Sequence, residues 1–299
     1  MLKRQLFQHQ IAIAGQVKDA ITGEGISGAM VKIIDAPDEF INSVIFKTQV
    51  LGLPGLMQCC SGNPDLNSSP VSLPTAIQEL RQNLRNPELH TADKVQLFQA
   101  LLANNYLNGR DKFQGYQEII DYFPYNPKNK QSQIGRTKTI FDGWFYFRNL
   151  PAGCYQLEAS LFDAPRRYAQ GQGQVEITDD INSKKIIKED ENFALFDTIN
   201  TVELKLQPTT LLGTITSGDD NDPIGMARVE IQGSRDHTFS STEIIKQSQG
   251  ECNYRLVGIE ASNTPITVIV SAKGYPKQQK QIYLQTGEVK SLDFQLTVN

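Results

Sequence analysis

Residues 140–159, IFDGWFYFRNLPAGCYQLEA, decide which fold this sequence favours. Alternate side chains of a strand point to opposite faces, so Trp144 and Tyr146 share one face while Phe145 and Phe147 share the other. The Asp-Gly before this strand and the Leu-Pro-Ala-Gly after it are typical of turns, and the residues that follow alternate between apolar and polar. Two strands alone are only marginally stable in water. The rest of the chain must therefore cover this aromatic hairpin.

The composition is typical of a folded globular protein, because 39% of its 299 residues are hydrophobic and 21% are charged. A net charge of −4 gives no electrostatic reason to expect a nucleic-acid partner. No apolar run precedes Gly15 as in a secretory signal, and none approaches the ~20 residues of a membrane helix. The four cysteines make a poor disulfide framework, since two of them are adjacent. We expect a cytoplasmic chain without membrane insertion.

A pattern near the N-terminus occurs a second time after residue 210. Residues 15–33 contain a Gly, a β-branched residue, a polar turn, and then Ile, Ala, Val and Ile, and residues 213–231 match them without a gap. The equal turn length argues against a chance match, so the chain is predicted to contain two copies of one β-module. About seven short strands per copy favour a sandwich of two antiparallel sheets. The linker, residues 208–210, is short enough to hold the two copies together with little freedom.

The sequence resembles the carboxypeptidase regulatory-like family. The resemblance covers residues 11–34 and 137–206 and, more weakly, residues 211–297. It rests on Gly15-x-Val17, Thr22-Gly23, Ile26-x-x-Ala29-x-Val31, Asp142-Gly143-x-Phe145 and Leu150-Pro151-x-Gly153-x-Tyr155. It implies a transthyretin-like sandwich of seven strands. The second copy departs from the pattern, with Gln249-Gly250 in place of Asp-Gly and no Leu-Pro-x-Gly-x-Tyr.

We therefore predict a mainly β protein with two transthyretin-like (Ig-like) antiparallel β-sandwiches, the first interrupted by a long, partly α-helical insertion. The predicted domains are residues 1–36 plus 134–208 for the first sandwich, 37–133 for the insertion and 209–299 for the second sandwich. In the insertion, the apolar spacing predicts helices around residues 77–84, 95–106 and 116–122, with Asn108-Gly109 ending the second. These helices pack within the chain or present part of their surface to a partner. The charged stretch 179–191 is predicted to be an exposed loop.

Nothing in the sequence forms a recognisable catalytic or metal-binding constellation. The three histidines, His9, His90 and His237, have no His-x-x-Glu or His-Glu-x-x-His spacing, which zinc hydrolysis would need. In the family that the chain resembles, the sandwich is an accessory module beside the peptidase, and only this accessory module is present here. We therefore expect a protein that is not an enzyme, with no catalytic residue, no cofactor and no metal ion.

The first functional hypothesis is a structural or adaptor protein that acts through contacts with the other proteins of a multi-subunit assembly. Edges of β-sandwiches offer unpaired backbone groups that a neighbouring chain can extend. The stretch from Asp142 to Tyr168 is similar to carboxypeptidase regulatory-like proteins of phage-tail-like contractile injection systems. That resemblance implies a baseplate-associated or decorating component present in several symmetric copies. The candidate contact residues are Trp144, Tyr146, Arg166, Arg167, Tyr168, Phe98 and Tyr106.

The alternative hypothesis is a carbohydrate- or small-ligand-binding module. β-Sandwiches bind sugars through exposed aromatic rings, and Trp144, Tyr146, Tyr168 and Tyr275 are the candidates if their side chains point outward. The missing secretion signal argues against this alternative, and so does an equally good account of these rings as part of the core.

Overall fold

The computed structural model describes residues 7–51, 103, 108–120, 125–128, 133–178, 186–189, 193–196, 200–247 and 250–298. The protein is mainly β, with several sheets, two described α-helices and a short 3-10 helix at Phe141–Gly143. We call residues 7–206 unit one and residues 207–298 unit two. In unit one the helices are α1 (Asp38–Leu51) and α2 (Gly109–Ile120). Its strands are β1 (Phe7–Asp19), β2 (Met30–Asp35), β3 (Arg136–Lys138), β4 (Trp144–Arg148), β5 (Gly153–Ser160), β6 (Gly171–Ile177), β7 (Ile186–Glu189), β8 (Phe193–Phe196) and β9 (Thr201–Leu206).

Two sheets of unit one enclose a single hydrophobic core. One sheet has the order β4-β1-β8-β7, with β9 also paired to β1, and the other has the order β3-β2-β5-β6. β1 runs antiparallel to β4 and parallel to β9. Strand alternation sends one set of side chains inward, among them Phe145 from the first sheet and Leu157 from the second, and both are almost fully buried. β4 and β3 are end strands of their sheets.

Unit two has the same arrangement around a second, separate core. Its strands are β10 (Thr210–Gly213), β11 (Ile215–Ser217), β12 (Arg228–Ile231), β13 (His237–Phe239), β14 (Ile245–Gln247), β15 (Gly250–Cys252), β16 (Tyr254–Val257), β17 (Ser262–Ser271), β18 (Gln278–Leu284), β19 (Val289–Ser291) and β20 (Phe294–Leu296). The orders β16-β10-β19 and β13-β12-β17-β18 reproduce those around β1 and β2, and β14 and β15 form an additional hairpin. The core includes Leu211, Val229 and Phe294.

Equivalent backbone hydrogen bonds form at the repeated sequence pattern in the two units. In unit one the N–H of Ile26 donates to the carbonyl of Val17, and in unit two the N–H of Ile224 donates to the carbonyl of Ile215, both at 2.8 Å. An alanine, Ala29 or Ala227, directly precedes the strand after each turn and is fully buried. The same sequence pattern therefore builds the same turn and the same entry into the second sheet in both units.

A buried hydroxyl fixes this entry in each unit. In unit one, Thr139 Oγ1 accepts from the N–H of Ala29 at 2.8 Å and donates to the carbonyl of Ile26 at 2.7 Å. In unit two, Ser240 Oγ accepts from the N–H of Ala227 at 2.9 Å and donates to the equivalent carbonyl at 2.5 Å. Both hydroxyl residues are buried. They satisfy backbone groups that the sheet ladder leaves unpaired at this point.

The described helices of the insertion pack within the chain, against the core of unit one. The ring of Phe40 in α1 lies edge-on to that of Tyr155, with centroids 5.8 Å apart, and Tyr116 in α2 donates to the carbonyl of Ile134 at 2.9 Å. Neither helix is long and apolar enough to span a membrane, and the described residues contain no other candidate. The helix predicted around residues 77–84 lies outside the described residues, and so does the one around residues 95–106 except for residue 103, which is helical.

Two local predictions were wrong. Asn108-Gly109 begins a helix, because the Asn108 side chain caps α2 by accepting from the N–H of Asp111 at 3.0 Å. The third predicted helix, residues 116–122, is helical over residues 116–120, which form the second half of α2 from Gly109 to Ile120, and residues 121 and 122 lie outside the described residues. The stretch 179–191, predicted as an exposed loop, contains strand β7, which pairs antiparallel with β8.

The linker between the units is buried and hydrogen-bonded. Thr209 and Thr210 are fully buried. The N–H of Thr209 donates to the carbonyl of Arg167 at 2.8 Å, and its hydroxyl accepts from the N–H of Gly287 at 2.8 Å. Both units therefore bond to the same residue, which restrains their relative orientation.

Candidate protein-contact surface on strand β4

Strand β4 divides its aromatic side chains between core and solvent. Phe145 and Phe147 are 2% and 7% exposed and belong to the core of unit one, whereas Trp144 and Tyr146 are 47% and 44% exposed. We define the β4 surface as the exposed side chains of Ile140, Phe141, Trp144, Tyr146 and Arg148. Soluble proteins rarely leave adjacent large apolar side chains exposed without a function, so this surface is the leading candidate for a contact site.

A tight corner positions the start of the β4 surface. Asp142 and Gly143 both have positive φ, 58° and 74°, and a side chain at residue 143 would overlap the carbonyl of Val17. This position therefore requires glycine. The N–H of Ile140 donates to the carbonyl of Trp144 at 2.8 Å, which closes the corner and holds the first strand residue in place.

The far end of the β4 surface is basic. The Arg148 guanidinium carbon lies 5.5 Å from the centroid of the Tyr146 ring, which is the geometry of a cation–π contact. A groove of about 1850 Å³ opens beside this end, between α1, β3 and the last residues of β4. Phe162, 52% exposed, lines the groove together with Ile140 and Tyr146. Aromatic and aliphatic side chains thus continue from the strand onto the rim of the groove.

The side edge of β4 is open along part of its length. In the part of the chain that the structure describes, β4 pairs with β1 alone. The Trp144 carbonyl accepts from Ile140 and therefore points away from β1. Backbone groups of a strand alternate between its two sides, so the N–H and C=O groups of Tyr146 and Arg148 also point away from β1. An unpaired edge of this kind can accept a further strand.

Arg167 and Tyr168 lie at the junction of the two units. Arg167 donates to both carboxylate oxygens of Asp236, at 3.1 and 3.2 Å, and to the carbonyl of Gly258 at 2.6 Å. The hydroxyl of Tyr168 donates to Asp19 Oδ2 at 3.1 Å. Burial, reinforced by the Asp19 carboxylate, raises the pKa of Tyr168 to about 12. These two side chains join parts of the same chain.

The remaining predicted contact residues lie elsewhere. Arg166 presents an exposed side chain beside this junction, and only its carbonyl takes part, accepting from the N–H of Ala261 at 2.9 Å. Phe98 and Tyr106 lie outside the described residues. Trp144 and Tyr146 are therefore the predicted residues that the structure brings together on one exposed face, and a partner contact of all seven stays a prediction.

The sequence alone did not indicate that the equivalent face of unit two is covered. In unit two Leu211 pairs with Leu256, as Ile13 pairs with Phe147 in unit one. Arg255, the residue before Leu256, therefore corresponds to Tyr146, the residue before Phe147. Arg255 is half-buried. Leu212, opposite it in the ladder, is 1% exposed and lies beside Gly250 of the β14–β15 hairpin.

Metal-ligating side chains do not cluster in the described part of the chain. No group of three or more His, Cys, Asp or Glu residues there has the spacing of a metal site. Among the histidine side chains that the structure describes there is only His237, whose ring packs edge-on against that of Phe239, with ring centroids 5.9 Å apart. The exposed aromatic strand therefore remains the candidate site.

Comparisons with known proteins identify no family, since no family model and no curated protein sequence matches this chain. Among solved structures, the shaft pilin SpaA of Lactobacillus rhamnosus GG matches at 10% identity over 98% of both chains, with a TM-score of 0.30. A streptococcal ancillary pilin matches at 11% identity over 99% of this chain and 64% of its own, with a TM-score of 0.24. A type II cohesin–X-dockerin complex of Acetivibrio cellulolyticus matches at 18% identity over 29% of this chain, with a TM-score of 0.22. This chain spans about half, 52%, of that complex's matched chain. Each of these is a β-rich protein at low similarity, so function is argued from the chain itself.

Proposed function

We propose that this protein is a non-catalytic structural or adaptor component that acts through protein–protein contacts in a larger assembly. The observation that carries the proposal is the β4 surface, where exposed Trp144 and Tyr146 lie on a strand with an open edge. Aromatic residues and arginine are enriched at protein interfaces, and this surface ends in Arg148.

The remainder of the molecule supports the same proposal. A contact surface works best on a scaffold that does not deform, because ordering it on binding then costs little free energy. Phe145 and Phe147 anchor β4 in the core, and the buried linker restrains the orientation of the two units. The aromatic side chains are therefore presented in a preformed arrangement.

The finer assignment rests on the sequence. We propose two transthyretin-like sandwich domains, residues 1–36 plus 134–208 and residues 209–299, separated by the insertion 37–133. We also propose a cytoplasmic location. The resemblance to carboxypeptidase regulatory-like proteins is what supports a baseplate-associated or decorating role in a contractile injection particle.

Sedimentation of a native lysate, with detection by an antibody against this chain, tests the proposed function. An assembly component migrates in a large particle, and mass spectrometry of that fraction identifies its neighbours. Sheath- or tube-like proteins in the same fraction would support the proposed role in a contractile injection particle. Migration as a free 33.4 kDa chain would contradict the assembly proposal.

A second candidate function is carbohydrate binding. The observation that favours it is that Trp144 and Tyr146 are both exposed on one sheet face, where sugar rings could stack on them. Trp144 is the one tryptophan of the chain, so its fluorescence reports directly on this face. Oligosaccharides that change this fluorescence in a saturable way, with the effect lost in Tyr146→Ala, would establish this candidate; an unchanged spectrum across a glycan panel would remove it.

A further inference from the structure

We propose that two copies of this chain associate through the open edges of their β4 strands, which pair antiparallel around a two-fold axis at Phe147. The inference deepens the proposed function, on which it rests, by naming one partner of the β4 surface. A symmetric pair of this kind uses the same patch on both copies, so the patch must be complementary to itself.

The backbone determines which residues can face each other. Tyr146 and Arg148 direct their N–H and C=O groups away from β1, because the Trp144 carbonyl points away from β1 and the direction alternates from residue to residue. If Phe147 lies on the axis, Tyr146 of one copy lies opposite Arg148 of the other, and the two residues exchange both main-chain hydrogen bonds. An axis at Tyr146 would instead place Arg148 opposite Trp144, where Ile140 already occupies the open side.

The side chains are complementary in the same register. Opposite side chains in an antiparallel pair lie close enough to interact. Each Arg148 guanidinium then lies against the Tyr146 ring of the other copy and avoids a like charge. Within one chain these two side chains already form a cation–π contact, with 5.5 Å between the guanidinium carbon and the ring centroid. Ile140 and Phe162, 48% and 52% exposed, flank this edge and add apolar area to the contact.

β4 carries few of the features that normally prevent strands from pairing at an edge: its one exposed charge is Arg148, and the irregularity in its pairing with β1 lies in β1, between Ile11 and Ile13. Proteins protect such edges with Lys, Pro or bulges, or cover them. β3, the neighbouring edge strand, carries exposed Lys138, whereas β4 reads Trp-Phe-Tyr-Phe-Arg without Lys or Pro. In unit two, Arg255 replaces Tyr146 and the β14–β15 hairpin lies beside the equivalent face. The strand of unit two that corresponds to β4 therefore has no exposed aromatic residue at the position of Tyr146.

Sedimentation velocity of the purified full-length chain over a concentration series tests the inference. We expect a monomer–dimer equilibrium in the wild type. Tyr146→Lys places Lys opposite Arg148 and should weaken association about tenfold. Tyr146→Glu places a carboxylate opposite the same arginine and should retain the dimer. The double variant Tyr146→Lys/Arg148→Glu restores opposite charges and should recover it.

The matched control is Tyr283→Lys, because Tyr283 is 60% exposed on strand β18 of unit two and undergoes the same chemical change. Circular dichroism checks that every variant is folded. A wild type that stays monomeric, or a dimer that Tyr146→Lys and Tyr283→Lys affect equally, would overturn the inference.

The inference and the proposed function can fail separately. A purified chain that is monomeric but migrates in a large particle in lysate leaves the proposed function intact and removes the second copy as the partner. A purified dimer that Tyr146→Lys weakens and Tyr283→Lys does not, but whose native form migrates outside any larger particle, supports the β4 pairing and contradicts the assembly role.

Discussion

Tyr168 joins the loop after β5 to the first turn of unit one through one hydrogen bond. Its hydroxyl donates to Asp19 Oδ2 at 3.1 Å, and Asp19 is only 5% exposed. Tyr168→Phe would leave this buried oxygen without its donor, so we expect the free energy of unfolding to fall by about 2 kcal/mol. Tyr275→Phe is the control, because Tyr275 precedes β18 as Tyr168 precedes β6 and has no hydroxyl hydrogen bond among the described residues. Urea denaturation measures both, and equal effects would contradict this role.

The same residue predicts a pH dependence. The pKa of Tyr168 is raised from 10.0 to about 12 by burial and by Asp19, so the folded state favours the neutral phenol. The resulting stabilisation is complete below the unfolded pKa of 10.0 and is lost as the pH rises towards about 12. The free energy of unfolding of the wild type should therefore fall more steeply over this range than that of Tyr168→Phe. Parallel pH profiles from urea denaturation would show that Tyr168 does not contribute.

At the level of secondary-structure elements, the entry into the second sheet depends on one hydroxyl in each unit. Thr139→Val and Ser240→Ala each leave a buried backbone N–H, that of Ala29 or Ala227, without an acceptor. We expect each variant to lose about 1–3 kcal/mol of unfolding free energy, as measured by chemical denaturation. Thr139→Ser keeps the hydroxyl and should recover most of the loss in unit one. A loss as large in Thr139→Ser would assign the effect to packing.

The sequence predicted those elements whose residues repeat or alternate. Strands β4 and β5, the repeated turn and the strand at residues 201–206 follow from period-two patterns in the local sequence. The hairpin predicted for β4 and β5 was wrong, because β4 pairs with β1 in one sheet and β5 pairs with β2 and β6 in the other. Helix α1 was not predicted, because it contains β-branched residues, which are equally typical of strands. Asp38 and Glu39 in its first turn were a usable signal, since acidic residues are favourable at the N-terminus of a helix. Asn108-Gly109 fits either end of a helix, and only the packing of α2 on unit one distinguishes them.

The candidate site was predictable only in part. The alternation of side chains along a strand placed Trp144 and Tyr146 on the same face of β4. It did not determine which face lies in the core, since both faces of β4 are aromatic. The junction role of Arg167 depends on Asp236 and Gly258, which are distant in sequence and meet it only through the relative orientation of the two units. The cover over unit two likewise depends on the β14–β15 hairpin, whose strands the sequence pattern did not reveal.

At the scale of the whole molecule, a preformed contact surface requires the two units to behave as one body. Arg167→Met removes the contacts with Asp236 and Gly258, and we expect calorimetry to show a lower or divided unfolding transition in place of the single wild-type transition. Arg166→Met is the matched control, because the neighbouring side chain is exposed and only its carbonyl takes part. Identical transitions in both variants would mean that the buried linker alone couples the units.

The most direct test of the central claim is photo-crosslinking in the native cell, with p-benzoylphenylalanine in place of Tyr146 or, as the control, Tyr283. Both positions are exposed, at 44% and 60%, so both give the probe similar access to neighbours. If the β4 surface is the contact site of an assembly protein, illumination produces discrete cross-linked species from position 146 and none from position 283. A chain that stays uncrosslinked at both positions, or crosslinks equally at both, would contradict the account.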